Sequence, residues 1–100
     1  MAIIEISVIP LGTGTTSMSE YVSRAVGVLE SQKEVRYQLT PMGTIIEGDL
    51  DTAWGIVRRM HEGGFGGSVQ RVLTSITIDD RRDKLATMED KVRSVQSKLR

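Results

Sequence analysis

One hundred residues make one domain, or one domain with an appendage, and bury roughly 65% of the unfolded surface, an adequate but not generous core. Thirteen Lys and Arg balance thirteen Asp and Glu, which argues against a general nucleic-acid binder, and the absence of cysteine removes disulfides, thiol nucleophiles and thiolate metal sites. No apolar run reaches membrane-spanning length, and "MAIIEISVI" lacks the basic flank and cleavage site of a signal peptide, so a cytoplasmic protein without a membrane partner is expected.

Ile3 to Ile9 alternates and is β-branched, which predicts a strand with Ile4, Ile6 and Val8 on one face and Ile3, Glu5, Ser7 and Ile9 on the other. "PLGTGTT" reads as a loop. Ser17 and Glu20 have capping-box spacing, and Tyr21, Val22, Ala25, Val26 and Leu29 continue a helix to about Gln32. Val35–Thr40 and Thr44–Gly48 are strands joined by "PMG", hence an antiparallel hairpin. Asp49 caps a second helix with a stripe of Leu50, Ala53, Trp54, Val57 and Met60 or His61. "GGFGG" ends it, glycine tolerating the left-handed conformation common there. Val69–Asp79 is a fourth alternating strand, with Val72, Thr74, Ile76 and Ile78 on one face. A last helix is predicted over Arg82 to Leu99.

The order β-α-β-β-α-β predicts a ferredoxin-like α+β sandwich over residues 1–81: a four-stranded antiparallel sheet with two helices on one face. Residues 82–100 add the C-terminal helix. The purely aliphatic set of the first strand belongs under the helices. The other face then gathers Ile3, Ile9 and Leu73 among Glu5, Ser7, Ser75 and Thr77, too many large apolar groups for a solvated face, so a second copy of the chain is expected to cover it. Leu85, Met88, Val92, Val95 and Leu99 are spaced 3, 4, 3, 4, a two-heptad seam for its own sheet edge or for a partner subunit.

Candidate chemistry is sparse. His61 is the only histidine, and "HE" lacks the second histidine of a zinc-protease helix, so no metal and no other cofactor is expected. The glycine loops lack phosphate-loop spacing; "PLGTGTTS" is a connector or an anion cradle. "DDRRDK", Asp79 to Lys84, is a local ion-pair cluster, a binder of an anionic group or a subunit contact. No nucleophile–base constellation assembles, so catalysis is not expected. Glu47 stands out in the strand "TIIEG". It is either a salt-bridged strand-end carboxylate or a group held ready for a cationic or amidine-like ligand. Hydroxyls of Ser7, Ser75 and Thr77, with Tyr37 and Trp54, suit a small polar heterocycle better than a macromolecule.

"IPLGTGTTSMSEYV", "YQLTPMGTIIEGDLD" and "RVLTSITIDDRRDK" together resemble the thiamine-binding protein family, over about the whole chain. The resemblance implies binding of thiamine or its hydroxymethylpyrimidine half, without catalysis, by a homo-oligomer arranged as a dimer of dimers. It implies Ser7, Thr13, Tyr37, Met42, Thr44 and Glu47 as pocket residues, with Glu47 facing the aminopyrimidine or the thiazolium. Strict alternation puts Thr44 and Glu47 on opposite faces of their strand, so both serve one site only if a bulge intervenes. The rivals are a regulatory module for another metabolite, a structural oligomer, and a small enzyme.

Overall fold

In the computed structural model, which describes residues 1–15 and 19–99, the alternating and helical patterns become β1 (Ala2–Leu11), α1 (Ser19–Glu30), β2 (Arg36–Thr40), β3 (Gly43–Gly48), α2 (Leu50–Gly63), β4 (Arg71–Asp80) and α3 (Met88–Gln96). The sheet order is β2-β3-β1-β4 and every neighbouring pair is antiparallel. This is the ferredoxin-like βαββαβ arrangement with α1 and α2 on one face, followed by a C-terminal helix.

Register decides which side chains meet the helices. Ile4 lies opposite Ile46, and Ile6 opposite Thr44. With Ala25, Leu29, Ala53, Ile56, Val57 and Met60 these residues form one buried cluster. Each large aliphatic side chain fully removed from water there stabilises the fold by about 1.5–3 kcal/mol. Thus the aliphatic face of the first strand does lie under the helices.

Several boundaries and one stripe differ from the sequence expectations. β1 runs on through Pro10 and Leu11, because Val72 and Arg71 keep pairing with them. α1 ends at Glu30, and β4 begins at Arg71 rather than Val69. The capping box expected at Ser17 falls outside the described residues. The last helix spans only Met88–Gln96 and starts at its own capping box: Thr87 Oγ1 accepts from the Asp90 N–H (3.1 Å) and Asp90 accepts from the Thr87 N–H (3.0 Å). That box outweighs the generic helix propensity of residues 82–86. On α2 the buried stripe is Ala53, Ile56, Val57 and Met60, an i, i+3, i+4, i+7 set, while Trp54 is exposed. Asp49 does cap α2, accepting from the Thr52 N–H at 3.3 Å.

Two glycines permit close packing. A Cβ at Gly64 would sit 2.8 Å from a Val8 methyl, so glycine lets the end of α2 press onto β1. Gly64 itself is right-handed (φ −69°), so α2 stops without the left-handed residue expected there. A Cβ at Gly43 would meet the Ile6 carbonyl oxygen at 2.8 Å, which ties the start of β3 tightly to β1.

The helices cover β1 and β3 but reach β4 only near its start, where His61 meets Thr74. Ile76 and Ile78 share the helix-side face of β4, yet stay about 40% exposed. Leu73 on the opposite face is exposed as well. α3 lies against the face opposite α1 and α2, where Met88 is buried beside Glu47, while Leu85, Val92, Val95 and Leu99 of the heptad seam remain exposed.

Candidate functional site

β3 pairs with β1 only as far as Ile6 and Thr44, while β1 continues to Leu11 along β4. A pocket of about 390 Å³ opens in the space beyond the end of β3. Its floor is β1 from Ile6 to Ile9, one wall is α1 with Val22, Ala25 and Val26, and the other is the β2–β3 turn from Leu39 to Thr44. Within the size range of small-molecule sites, such mostly apolar clefts with a few placed polar groups are the usual form.

The turn that forms the second wall is internally braced. Thr40 Oγ1 donates to the Gly43 carbonyl (2.8 Å) and accepts from the N–H groups of Gly43 (3.1 Å) and Met42 (3.3 Å). One threonine thereby satisfies the tight turn and fixes where Met42 stands. Met42 itself is largely solvent-exposed, a flexible thioether at the pocket rim. Thr44 is buried, and among the described residues its hydroxyl has no hydrogen-bond partner. The half-buried Ser7 hydroxyl likewise has none, but Ser7 follows Ile6 and so projects to the sheet face away from Thr44 and α1.

Of the six residues expected at a site, this pocket gathers Ser7, Met42 and Thr44. Thr13 lies in the loop after β1, donating to the Thr15 carbonyl at 2.9 Å. Tyr37 is on the outer strand opposite Ile46 and does not line the pocket. Glu47 is three residues further along a regular strand with no bulge, so it faces the other side of the sheet from Thr44. Sequence reasoning did not single out the wall formed by Val22, Ala25 and Val26. Their i, i+3, i+4 spacing is the signature of an ordinary buried stripe, and only the premature end of β3 leaves part of it uncovered.

Glu47 has its own engagement. It is 3% exposed, its Oε2 accepts from the Met88 N–H at 3.0 Å, and its Oε1 stands 3.6 Å from the Arg36 guanidinium. Met88 is the first residue of α3, so the carboxylate sits at a helix N-terminus, where the free N–H groups and the macrodipole favour negative charge. Arg36 also pairs with Glu89, and Lys91 of α3 with Asp79 of β4. A set of polar contacts therefore docks α3 on the sheet.

Local pairing likewise accounts for "DDRRDK". Arg82 donates to Asp80 (2.7 Å) and Arg81 to Asp83 (2.5 and 2.8 Å). The Arg81 hydrogen bonds lower the Asp83 carboxyl to about 2. Glu89 and Asp90 are also held below their ordinary values of 4.5 and 3.8, Glu89 first by its own backbone N–H and then by Arg36, Asp90 by the Thr87 N–H and hydroxyl. Groups lowered in the folded state contribute stability that is complete above the ordinary carboxylate range and lost as pH falls through the folded values. The α3 amides should therefore lose hydrogen-exchange protection below about pH 4 before the amides of β1 and β3 do. Simultaneous loss across both would show that these carboxylates do not hold the helix.

His61 is half-buried, with Nδ1 2.6 Å from Thr74 Oγ1 and its ring edge-on to Phe65. It bridges α2 and β4. Among the described residues no group of three His, Cys, Asp or Glu side chains is placed to hold a metal ion, and no helix is long and apolar enough to cross a membrane.

The fold and its small apolar cleft define a class of compact ligand-binding ferredoxin-like proteins, and comparison with known proteins supplies the family. The sequence model described as thiamine-binding protein matches residues 4–96. The UPF0045 protein YqgV of Bacillus subtilis is 44% identical over 99% of this chain and 98% of its own length. The crystal structure of the hypothetical protein MJ1052 of Methanocaldococcus jannaschii superposes with a TM-score of 0.85 at 36% identity, covering 95% of each chain. A putative thiamine biosynthesis/salvage protein of Thermotoga maritima shares the fold at a TM-score of 0.77 and 21% identity, over 94% of this chain and 97% of that one. The chain belongs to the thiamine-binding protein family.

Proposed function

We propose that this protein binds thiamine, or its hydroxymethylpyrimidine half, without transforming it, in the pocket between α1 and the β2–β3 turn. The observation that carries this reading is the pocket itself: an apolar cleft of about 390 Å³ with an unengaged hydroxyl, that of Thr44, on its helix side, in a member of this family. Val22, Ala25 and Val26 offer the apolar surface a flat ring needs, Met42 closes over it, and the Thr44 hydroxyl, on the same side of the sheet, orients it. Glu47, Thr13 and Tyr37 are outside the cleft, and this reading gives them no contact with the ligand. It includes a soluble, cytoplasmic protein that self-associates as a dimer of dimers. Support for association comes from the exposed Leu73, Ile76 and Ile78 on β4 and Val92 and Val95 on α3.

Calorimetric titration of thiamine and of hydroxymethylpyrimidine into the purified chain tests the proposal. Saturable heat from one or both is expected, at one site per chain, with the ligand recovered unchanged. No heat from either, with the protein folded, would refute the vitamin reading. Recovery of a cleaved or altered product would replace binding with catalysis. Sedimentation of the same sample should show an assembly larger than one chain, and a lone monomer would remove the oligomer.

A further inference from the structure

Pro10 fixes the direction of main-chain groups along β1. It has no N–H, yet Pro10 and Leu11 stay in register with Val72 and Arg71. The β4 ladder at this end must then be carried by Ile9 and Leu11, whose N–H and C=O groups face β4. Main-chain groups alternate sides along an antiparallel strand, so those of Ile4, Ile6 and Val8 face the opposite way, toward β3. The closeness of the Ile6 carbonyl to Gly43 agrees with that assignment. Ile4 and Ile6 meet Ile46 and Thr44. Val8 has no such partner, because β3 has already ended. By this alternation the N–H and C=O of Val8 face the side that β3 has vacated, where the register gives them no strand partner; Val8 is half-buried and lines the pocket. Buried or half-buried main-chain groups rarely stay unpaired.

We infer that the N–H and C=O of Val8 are the recognition edge of the pocket, reading a planar heterocycle that carries an amino donor beside a ring-nitrogen acceptor. An antiparallel strand residue presents donor and acceptor side by side in one plane, the pattern a neighbouring strand would normally satisfy. A 4-aminopyrimidine edge offers the complement: its amino group donates to the Val8 carbonyl and the adjacent ring nitrogen accepts from the Val8 N–H. The ring then lies in the plane of the sheet, where β3 would have continued, with Val22 and Val26 of α1 over one side. In the ring orientation that thiamine's C5 substituent sets, a 4-oxo ring in its usual N–H form presents the reverse order, donor against donor and acceptor against acceptor. No carboxylate is required for this recognition, which leaves Glu47 to α3. The inference rests on the pocket proposed above, but not on thiamine being the natural ligand.

The test uses ¹⁵N-labelled full-length protein and four probes: thiamine, its 4-oxo analogue, 4-amino-2-methylpyrimidine and 2-methyl-4-pyrimidinone. Expected are a downfield shift of the Val8 amide proton with both amino compounds, and binding by the 4-oxo analogue of thiamine, whose C5 substituent holds the ring in one orientation, weaker by at least about tenfold. If thiamine binds but the Val8 amide does not move, or the oxo analogue binds equally well, the recognition edge is wrong while the binding reading survives. If thiamine does not bind but the aminopyrimidine shifts Val8 selectively, the edge stands and the vitamin reading falls. If no probe moves the Val8 amide, the inference is overturned.

Discussion

Replacing Glu47 by alanine is expected to lower stability by about 2 kcal/mol, the range for a lost hydrogen bond to a charged group. The effect comes from the N-terminus of α3. Without the carboxylate, the Met88 N–H loses its acceptor in a buried position and Arg36 loses one of its two acidic neighbours. The Arg36 share is small, because that side chain is 57% exposed and solvent screens it. Glu47→Gln keeps an oxygen acceptor and should cost about half as much, since only the charge is lost. Urea denaturation gives the stability, and hydrogen exchange should show α3 loosening ahead of the sheet. Pocket binding should be nearly unchanged in Glu47→Gln. An unaltered midpoint together with abolished binding would reverse the assignment and return the carboxylate to the ligand.

Val26→Trp is expected to reduce ligand affinity by about a hundredfold or more, equivalent to roughly 2.7 kcal/mol. Val26 is half-buried on the wall of α1, and an indole there would fill the cleft a ligand must enter. The fold should survive, because the added atoms project into open space rather than into the packed cluster of Ile4, Ile46 and Leu29. Calorimetry on the variant, with circular dichroism as the folding control, reads both effects. Undiminished binding by a folded variant would place the ligand elsewhere on the molecule.

Much of the fold was legible because alternation and helical spacing are local signals. The Ile4, Ile6 and Val8 face identified the side under the helices, and the short "PMG" connection required a hairpin. The misjudged elements are those where a local cue competed with tertiary context. Pro10 looked like a strand terminator, but a proline is tolerated where its nitrogen faces an unpaired edge. Trp54 looked like core by type, yet the stripe passes through Ile56 instead. The last helix looked longer because residues 82–87 have helix-compatible composition, while Thr87 and Asp90 set its true start.

The lining of the candidate cleft was only half legible. Ser7, Met42 and Thr44 are far apart in sequence and come together because β3 stops one pair short of Ser7. A strand length of that kind depends on Gly43 and the braced turn, which no periodicity reports. Glu47 was conspicuous for a sound physical reason, a carboxylate on a sheet face. Its partner, the first N–H of α3, lies 41 residues away and could not be read from the strand alone.

The most direct test of the central claim is a crystal structure of the protein grown with saturating thiamine. Ring density is expected between α1 and the β2–β3 turn, beside Val8, with Thr44 within hydrogen-bonding reach and Glu47 still bound to the Met88 N–H. Ligand density at Glu47 with α3 displaced, or a fully occupied ligand on another face of the sheet, would contradict it.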